Sequence, residues 1–205
     1  MNWLKKAIVF GEKIKKNLQK KFPSKSDQEA SDWTPLNCCS VGPKLKKELE
    51  DNLFCCPNCN FHHYISPRQR FDIHFKKNNW EEIEAPIPAD DPLQWTDKKP
   101  YTERLKEARK KTGQSSAVLS CKTKIKDIDV VASAIDFKFI GGSIASSEGE
   151  NILQAVQTAI NNNCSYILFP ASGGMRMMES LISLTQMTRM TIAINELKKN
   201  NLPFF

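Results

Sequence analysis

The chain has 205 residues, 40% of them hydrophobic, and a formal net charge of +7. That length suits one large domain, or a small module joined to a medium one. No window approaches the run of about 18 apolar residues that crosses a membrane as a helix, and eight Gly with eleven Pro exclude a collagen-like or low-complexity chain.

Residues 1–32 predict a basic, flexible tail. Residues 1–27 hold eight Lys against Glu12 and Asp27, so six of the seven net positive charges sit there. A solvated extension is the plainer reading of such a run. Contact with nucleic acid or an acidic surface, driven by counterion release, is the other. The opening "MNWLKKAIVFGEKIKK" has neither the long apolar stretch nor the small-residue cleavage site of a secretory signal. It also lacks the Arg expected of an organelle transit peptide.

Residues 33–65 hold five of the seven cysteines, in "LNCCSVG" and "LFCCPNC". An odd count without an export signal favours a reducing compartment, where clustered thiols more often bind metal than pair as disulfides. Cys56 and Cys59 have the spacing that puts two thiolates on one tight turn. Cys39 lies 17 residues before Cys56, the separation expected of a partner turn. The position three before Cys39 is Leu36, which cannot ligate. The fourth ligand is then Cys38, Cys55, His62 or His63, and a structural, degenerate zinc ribbon is the preferred reading. Cys121 and Cys164 lie in apolar runs and read as core thiols.

Residues 66–100 mix short helical signals with Pro86, Pro88, Pro92 and Pro100, which predicts a linker-like wrap. "YTERLKEARKKTG" predicts a polar helix stopped by Gly113. "AVLSCKTKI" and "IDVVASAID" predict two strands joined at Lys126-Asp127, a hairpin without the usual glycine. A helix follows, with Ser147 and Glu150 at capping-box spacing and an apolar stripe of Ile152, Leu153, Val156, Ala159 and Ile160. "SYILFPAS" predicts a short buried strand. One long helix is expected after Gly173-Gly174, with Met177, Leu181, Leu184, Met187, Met190, Ile194 and Leu197 forming a core stripe. "LPFF" predicts the start of another strand. The order β, β, α, β, α is that of a layered α/β domain.

Chemistry could sit at two glycine turns, "FIGGSIAS" and "FPASGGMRM", each between a strand and a helix. Glycine permits close approach of a ligand to the backbone, and a helix N-terminus adds unpaired N–H groups and the positive end of its dipole. Gly141, Gly142, Ser143, Gly173, Gly174 and Arg176 are the candidate cleft, with Arg176 as a fixed positive charge. No nucleophile elbow, P-loop or dinucleotide fingerprint is present.

"ELEDNLFCCPNC", "YTERLKEARKKTG", "DFKFIGGSIAS" and "ASGGMRMMESLISLTQM", in this order and spacing, resemble the beta subunit of the bacterial or plastid acetyl-CoA carboxylase carboxyltransferase. The likeness runs from about residue 33 to 205. It implies a four-cysteine zinc ribbon, here carried by Cys39, Cys56, Cys59 and a fourth ligand such as Cys38. It implies that residues 66–205 are the N-terminal part of a crotonase-like domain of stacked β-β-α units, incomplete at residue 205. It also implies transfer of a carboxyl group from carboxybiotin, on a carrier protein, to acetyl-CoA, giving malonyl-CoA for fatty-acid synthesis. Backbone N–H groups would steady the enolate oxygen, and the family's later Thr-Thr-Gly-Gly turn would fall beyond residue 205. The implied partners are an alpha subunit in an α2β2 assembly, the biotin carboxyl carrier protein and biotin carboxylase. The implied setting is the cytoplasm, or the plastid stroma. The competing expectation is an inactive remnant, or a non-enzymatic ribbon module that binds nucleic acid.

Overall fold

The computed structural model describes residues 33–36, 38–39 and 42–205. The predicted basic tail lies outside the described residues. The described residues divide into two compact units, with the boundary between Tyr64 and Ile65.

In the first unit, strand β1 (Trp33–Thr34) pairs antiparallel with β2 (Lys44–Leu45), and helix α1 (Lys46–Asp51) follows directly. Leu36, Leu49 and Cys56 form its small core, with Cys38, Cys39 and Phe54 packed against them. Leu36 is thus an interior side chain. Leu53 and Phe54 both adopt positive φ (52° and 58°), which turns the chain sharply after α1.

The second unit is built on a four-stranded sheet in the order β3-β4-β5-β6. Strands β4 (Val118–Ile125) and β5 (Ile128–Ile135) form the expected hairpin. Lys126 and Asp127 have φ of 49° and 57°, the left-handed pair that matches strand twist in a two-residue loop. Ser120 and Ser133 oppose each other across the hairpin and share a buried 2.7 Å hydrogen bond. Helix α4 (Ser146–Asn161) carries the chain from β5 to β6 (Ser165–Phe169), which lies parallel to β5. Phe204 bridges Tyr166 in parallel, as a further strand would.

Residues 66–100 are more than a linker. Helix α2 (Pro67–Phe75) opens with a complete capping box: Gln69 N–H donates to Ser66 Oγ, and Ser66 N–H to Gln69 Oε1. Strand β3 (Trp80–Glu82) then pairs antiparallel with β4 at the sheet edge. Phe71 and Phe75 of α2 cover one face of the sheet, against Leu119, Cys121, Ala132 and Ala134. Val118, Val131, Ile135 and Tyr166 belong to the other face, packed with Ile152 and Val156 of α4. Helix α3 (Tyr101–Thr112) ends as expected at Gly113, whose φ of 70° places it in the left-handed region.

Three local expectations are overturned. The start of α4 is served by Glu148, whose Oε2 accepts the N–H of Ala145, while Glu150 pairs instead with Arg189 at 2.7 Å. Strand β6 buries only Tyr166 fully; its other residues are half-buried. The segment after Gly174 is broken: a short 3-10 turn (Met177–Glu179) precedes α5 (Ser180–Lys199), with Ser180 at φ 47°.

The core stripe expected on α5 also faces outward in its first half. Met177, Leu181, Leu184 and Met187 are all more than half exposed. The buried side carries Ser183, Gln186 and Leu197. Ser183 Oγ donates to Arg176 O at 2.6 Å, and Gln186 Nε2 donates to Ile182 O at 2.9 Å. Polar groups satisfied in this way can occupy an interior without the usual desolvation penalty.

Candidate active site and metal centre

The two glycine turns follow β5 and β6 and lie side by side. Gly173 N–H donates to Gly141 O at 2.9 Å, Ile144 N–H to Gly174 O at 2.9 Å, and Arg176 N–H to Ile144 O at 2.7 Å. Ile144 and Met175 form a parallel bridge. The four glycines play different parts. Gly142 is buried, with φ +62°, and a Cβ there would stand 2.1 Å from the carbonyl oxygen of Ala171. It is glycine because the second turn presses against it. Gly141, with φ +66°, has open space where a Cβ would lie. Gly173 and Gly174 are exposed. The N–H of Met175 donates to no acceptor among the described residues.

Arg176 departs from its expected role. It is 2% exposed and fully engaged within the protein. Its Nη2 donates to Ser143 O at 2.6 Å, Nε to Ser143 Oγ at 3.1 Å and Nη1 to Tyr101 Oη at 2.9 Å. Nη2 also lies 2.8 Å from Glu148 Oε1, and the guanidinium covers the Phe139 ring at 5.6 Å. Its charge is neutralised inside the fold and is not offered to a ligand.

The α4 N-terminus is likewise closed by the chain's own carboxylates. Glu148 accepts the N–H groups of Ala117 and Ala145. Glu179 accepts the N–H and hydroxyl of Ser146 at 2.9 and 2.7 Å, and the Tyr101 hydroxyl at 2.8 Å. Burial holds the Tyr101 hydroxyl well above the usual phenol range, so it remains a donor. The N–H groups of Ala145 and Ser146 are therefore already used.

In the first unit, the sulfurs of Cys38, Cys39, Cys56 and Cys59 all lie within 4.8 Å of one another, a grouping that could hold a metal ion. Cys39 and Cys56 Sγ are 3.7 Å apart, and Cys38 and Cys39 Sγ 4.0 Å. The backbone N–H groups of Cys59 and Asn58 hold the Cys56 thiol down at about 6, which favours its thiolate. Burial and the neighbouring thiols push Cys38 up to about 12. The other candidates sit outside this group. Cys55 Sγ is 3.2 Å from His62 Nδ1, and His63 Nε2 approaches Cys38 Sγ at 3.6 Å.

Comparison with known proteins bears on the second unit and on the whole chain. The carboxyl transferase domain family matches residues 76–204. The acetyl-coenzyme A carboxylase carboxyl transferase subunit beta of Chlorobaculum tepidum is 38% identical over 205 residues, covering 100% of this chain and 70% of its own length. The chain belongs to this beta-subunit family. The corresponding subunit of Pelagibacter ubique is 57% identical over 204 residues, and the chain spans 65% of its length. Among solved structures, transcarboxylase 12S with hydrolysed methylmalonyl-coenzyme A bound superposes with a TM-score of 0.51 at 21% identity, over 65% of this chain and 24% of that one. That likeness shows the crotonase-like α/β fold.

The fold brings together all six residues named at the two glycine turns, but gives them unequal parts. Gly173 and Gly174 are exposed, Gly141 and Ser143 are half-buried, and Gly142 and Arg176 hold the turns together. Tyr101, Glu148 and Glu179 were absent from the expected site. Tyr101 and Glu179 are 78 residues apart in sequence. The only local signal was the acidic "SSEGE" segment, in which spacing alone does not separate Glu148 from Glu150.

Proposed function

We propose that this chain supplies the acetyl-CoA side of an acetyl-CoA carboxylase carboxyltransferase. The carboxyl group would pass from carboxybiotin, on a carrier protein, to the acetyl methyl carbon, giving malonyl-CoA. The observation that carries this reading is the pair of glycine turns zipped together at the ends of β5 and β6, with Gly173 and Gly174 open to solvent. Removing a proton from the acetyl group puts negative charge on the thioester oxygen, and preorganised N–H donors stabilise such charge. The Met175 N–H is the candidate donor in this chain. Family membership and a reducing-compartment cysteine pattern support a cytoplasmic setting.

The partners would be an alpha subunit, the biotin carboxyl carrier protein and biotin carboxylase. The outward apolar face formed by Met177, just before α5, and by Leu181, Leu184 and Met187 of α5 is the surface we assign to the alpha subunit. The test is malonyl-CoA formation when the purified chain is combined with an alpha subunit and carboxybiotin carrier protein. Product is expected only when this chain is present.

We further propose that Cys38, Cys39, Cys56 and Cys59 hold one structural zinc ion in a small ribbon. Four thiolates at zinc–sulfur distances near 2.3 Å stand about 3.8 Å apart in a tetrahedron, close to the 3.7 and 4.0 Å separations here. Zinc would tie the turn holding Cys56 and Cys59 to the segment holding Cys38 and Cys39. The purified chain is expected to carry about one equivalent of zinc, and Cys38→Ser to lose most of it. Leu36→Cys should leave the content unchanged, because Leu36 belongs to the apolar core. A zinc-free wild-type chain, or a gain of zinc on Leu36→Cys, would sink the proposal.

A further inference from the structure

Arg176, Glu148, Glu179 and Tyr101 are buried, ionisable or polar, and have no role in the chemistry outlined above. A buried arginine paired with a carboxylate is costly unless every group is matched. Here the matching is complete: each carboxylate oxygen accepts at least one hydrogen bond, and all three guanidinium nitrogens donate. Three elements meet at this point. Tyr101 comes from α3, Glu148 from α4, and Arg176 with Glu179 from the segment after the second glycine turn.

The backbone around this cluster is fixed peptide by peptide. Arg176 Nη2 holds the carbonyl of Ser143, and the next N–H, that of Ile144, donates to Gly174 O. The Ile144 carbonyl takes the Arg176 N–H, and the following N–H, that of Ala145, goes to Glu148. The Ser146 N–H goes to Glu179. One residue therefore grips the first turn with its side chain and its backbone together, while sitting two residues past the glycines of the second.

We propose that Arg176 is a positioning residue that holds the two glycine turns in one register, with Glu148 and Tyr101 aiming its guanidinium and Glu179 anchoring Tyr101. This rests on the reading that the turns form the acyl-CoA cleft. The flat guanidinium fork is what the task requires. It reaches Ser143 O, Ser143 Oγ, Tyr101 Oη and Glu148 at once, and a lysine ammonium cannot match that geometry. A small displacement of aligned donors has a large kinetic effect; misplacement by about 1 Å can cost a hundredfold in rate.

The test uses the full chain with Arg176→Lys and Tyr101→Phe, each compared with the wild type. The first readout is amide hydrogen exchange in the chain alone, followed by mass spectrometry. Exchange over residues 141–146 and 173–176 should rise by about tenfold in both variants, with the β4–β5 hairpin unchanged. The second readout is malonyl-CoA formation with the alpha subunit, where kcat should fall by about ten- to a hundredfold while KM for acetyl-CoA stays within about threefold. Unchanged exchange in the turns, a uniform rise along the chain, or a wild-type kcat in Arg176→Lys overturns the proposal. A wild-type chain that forms no malonyl-CoA under any condition counts against the carboxyltransferase reading instead, and the exchange result still decides the positioning role.

Discussion

Glu148→Ala is expected to destabilise the second unit by about 3–5 kcal/mol, the usual consequence of leaving one partner of a buried ion pair alone. Glu148 and Arg176 are 0% and 1% exposed in their side chains and 2.8 Å apart. Removing the carboxylate strands the guanidinium in the interior. It also orphans the N–H groups of Ala117 and Ala145, which donate to Glu148 at 2.8 and 3.0 Å. Denaturant unfolding followed by far-UV circular dichroism measures the loss. The control is Glu150→Ala, two residues along the same helix. Its carboxylate pairs with Arg189, and the two side chains are 27% and 39% exposed, so the change should be less than about 1 kcal/mol. Equal effects at the two positions would remove Glu148 from its assigned role.

Gly142→Ala is the second large effect, at about 3 kcal/mol, or roughly 10 °C in Tm for a unit of this size. Two costs combine. The φ of +62° is unfavourable for any residue with a Cβ, and the new methyl would meet Ala171 O at 2.1 Å. A backbone carbonyl cannot rotate away as a flexible side chain would, so the two turns must separate. Gly141→Ala separates these costs, because its φ of +66° is similar but the space around it is open. That variant should lose only about 1 kcal/mol. Thermal unfolding of the pair shows whether close packing of the turns, rather than backbone conformation alone, fixes glycine at position 142.

Much of the fold was legible because its signals were local. Gly113 ends α3, and the strands on either side of Lys126-Asp127 carry the β-branched and apolar runs that suit a sheet buried on both faces. The α4 stripe named Ile152, Val156 and Ala159 correctly, since a 3.6-residue period fixes which side chains share a face. Strand β3 was missed because three residues at an edge, "WEE", with both glutamates exposed, carry no alternation. Helix α2 did announce itself, through the Ser66–Gln69 capping box, but four prolines nearby suggested an irregular wrap.

Periodicity failed on α5 for a different reason. A repeat of apolar residues identifies a face but not what covers it. Ser183 and Gln186 could turn inward because backbone carbonyls satisfy them, which left Met177, Leu181, Leu184 and Met187 outside. The two turns stood out in the sequence because paired glycines are conspicuous, and the fold brings them side by side. The unequal roles of their residues did not, since Arg176 as ligand contact and Arg176 as internal staple have the same sequence. In the cysteine cluster, spacing gave Cys39, Cys56 and Cys59, and only the folded chain brings Cys38 beside them while Leu36 enters the core. The nucleic-acid alternative drew on the basic tail, which lies outside the described residues.

The central claim is that this chain holds acetyl-CoA for carboxyl transfer. Its most direct test is malonyl-CoA formation from acetyl-CoA and carboxybiotin carrier protein, with an alpha subunit present and this chain added or withheld. The account predicts product that appears with this chain, saturates with acetyl-CoA and is lost in Gly142→Ala. A folded chain that associates with the alpha subunit, yet neither binds acetyl-CoA nor yields malonyl-CoA, would contradict it.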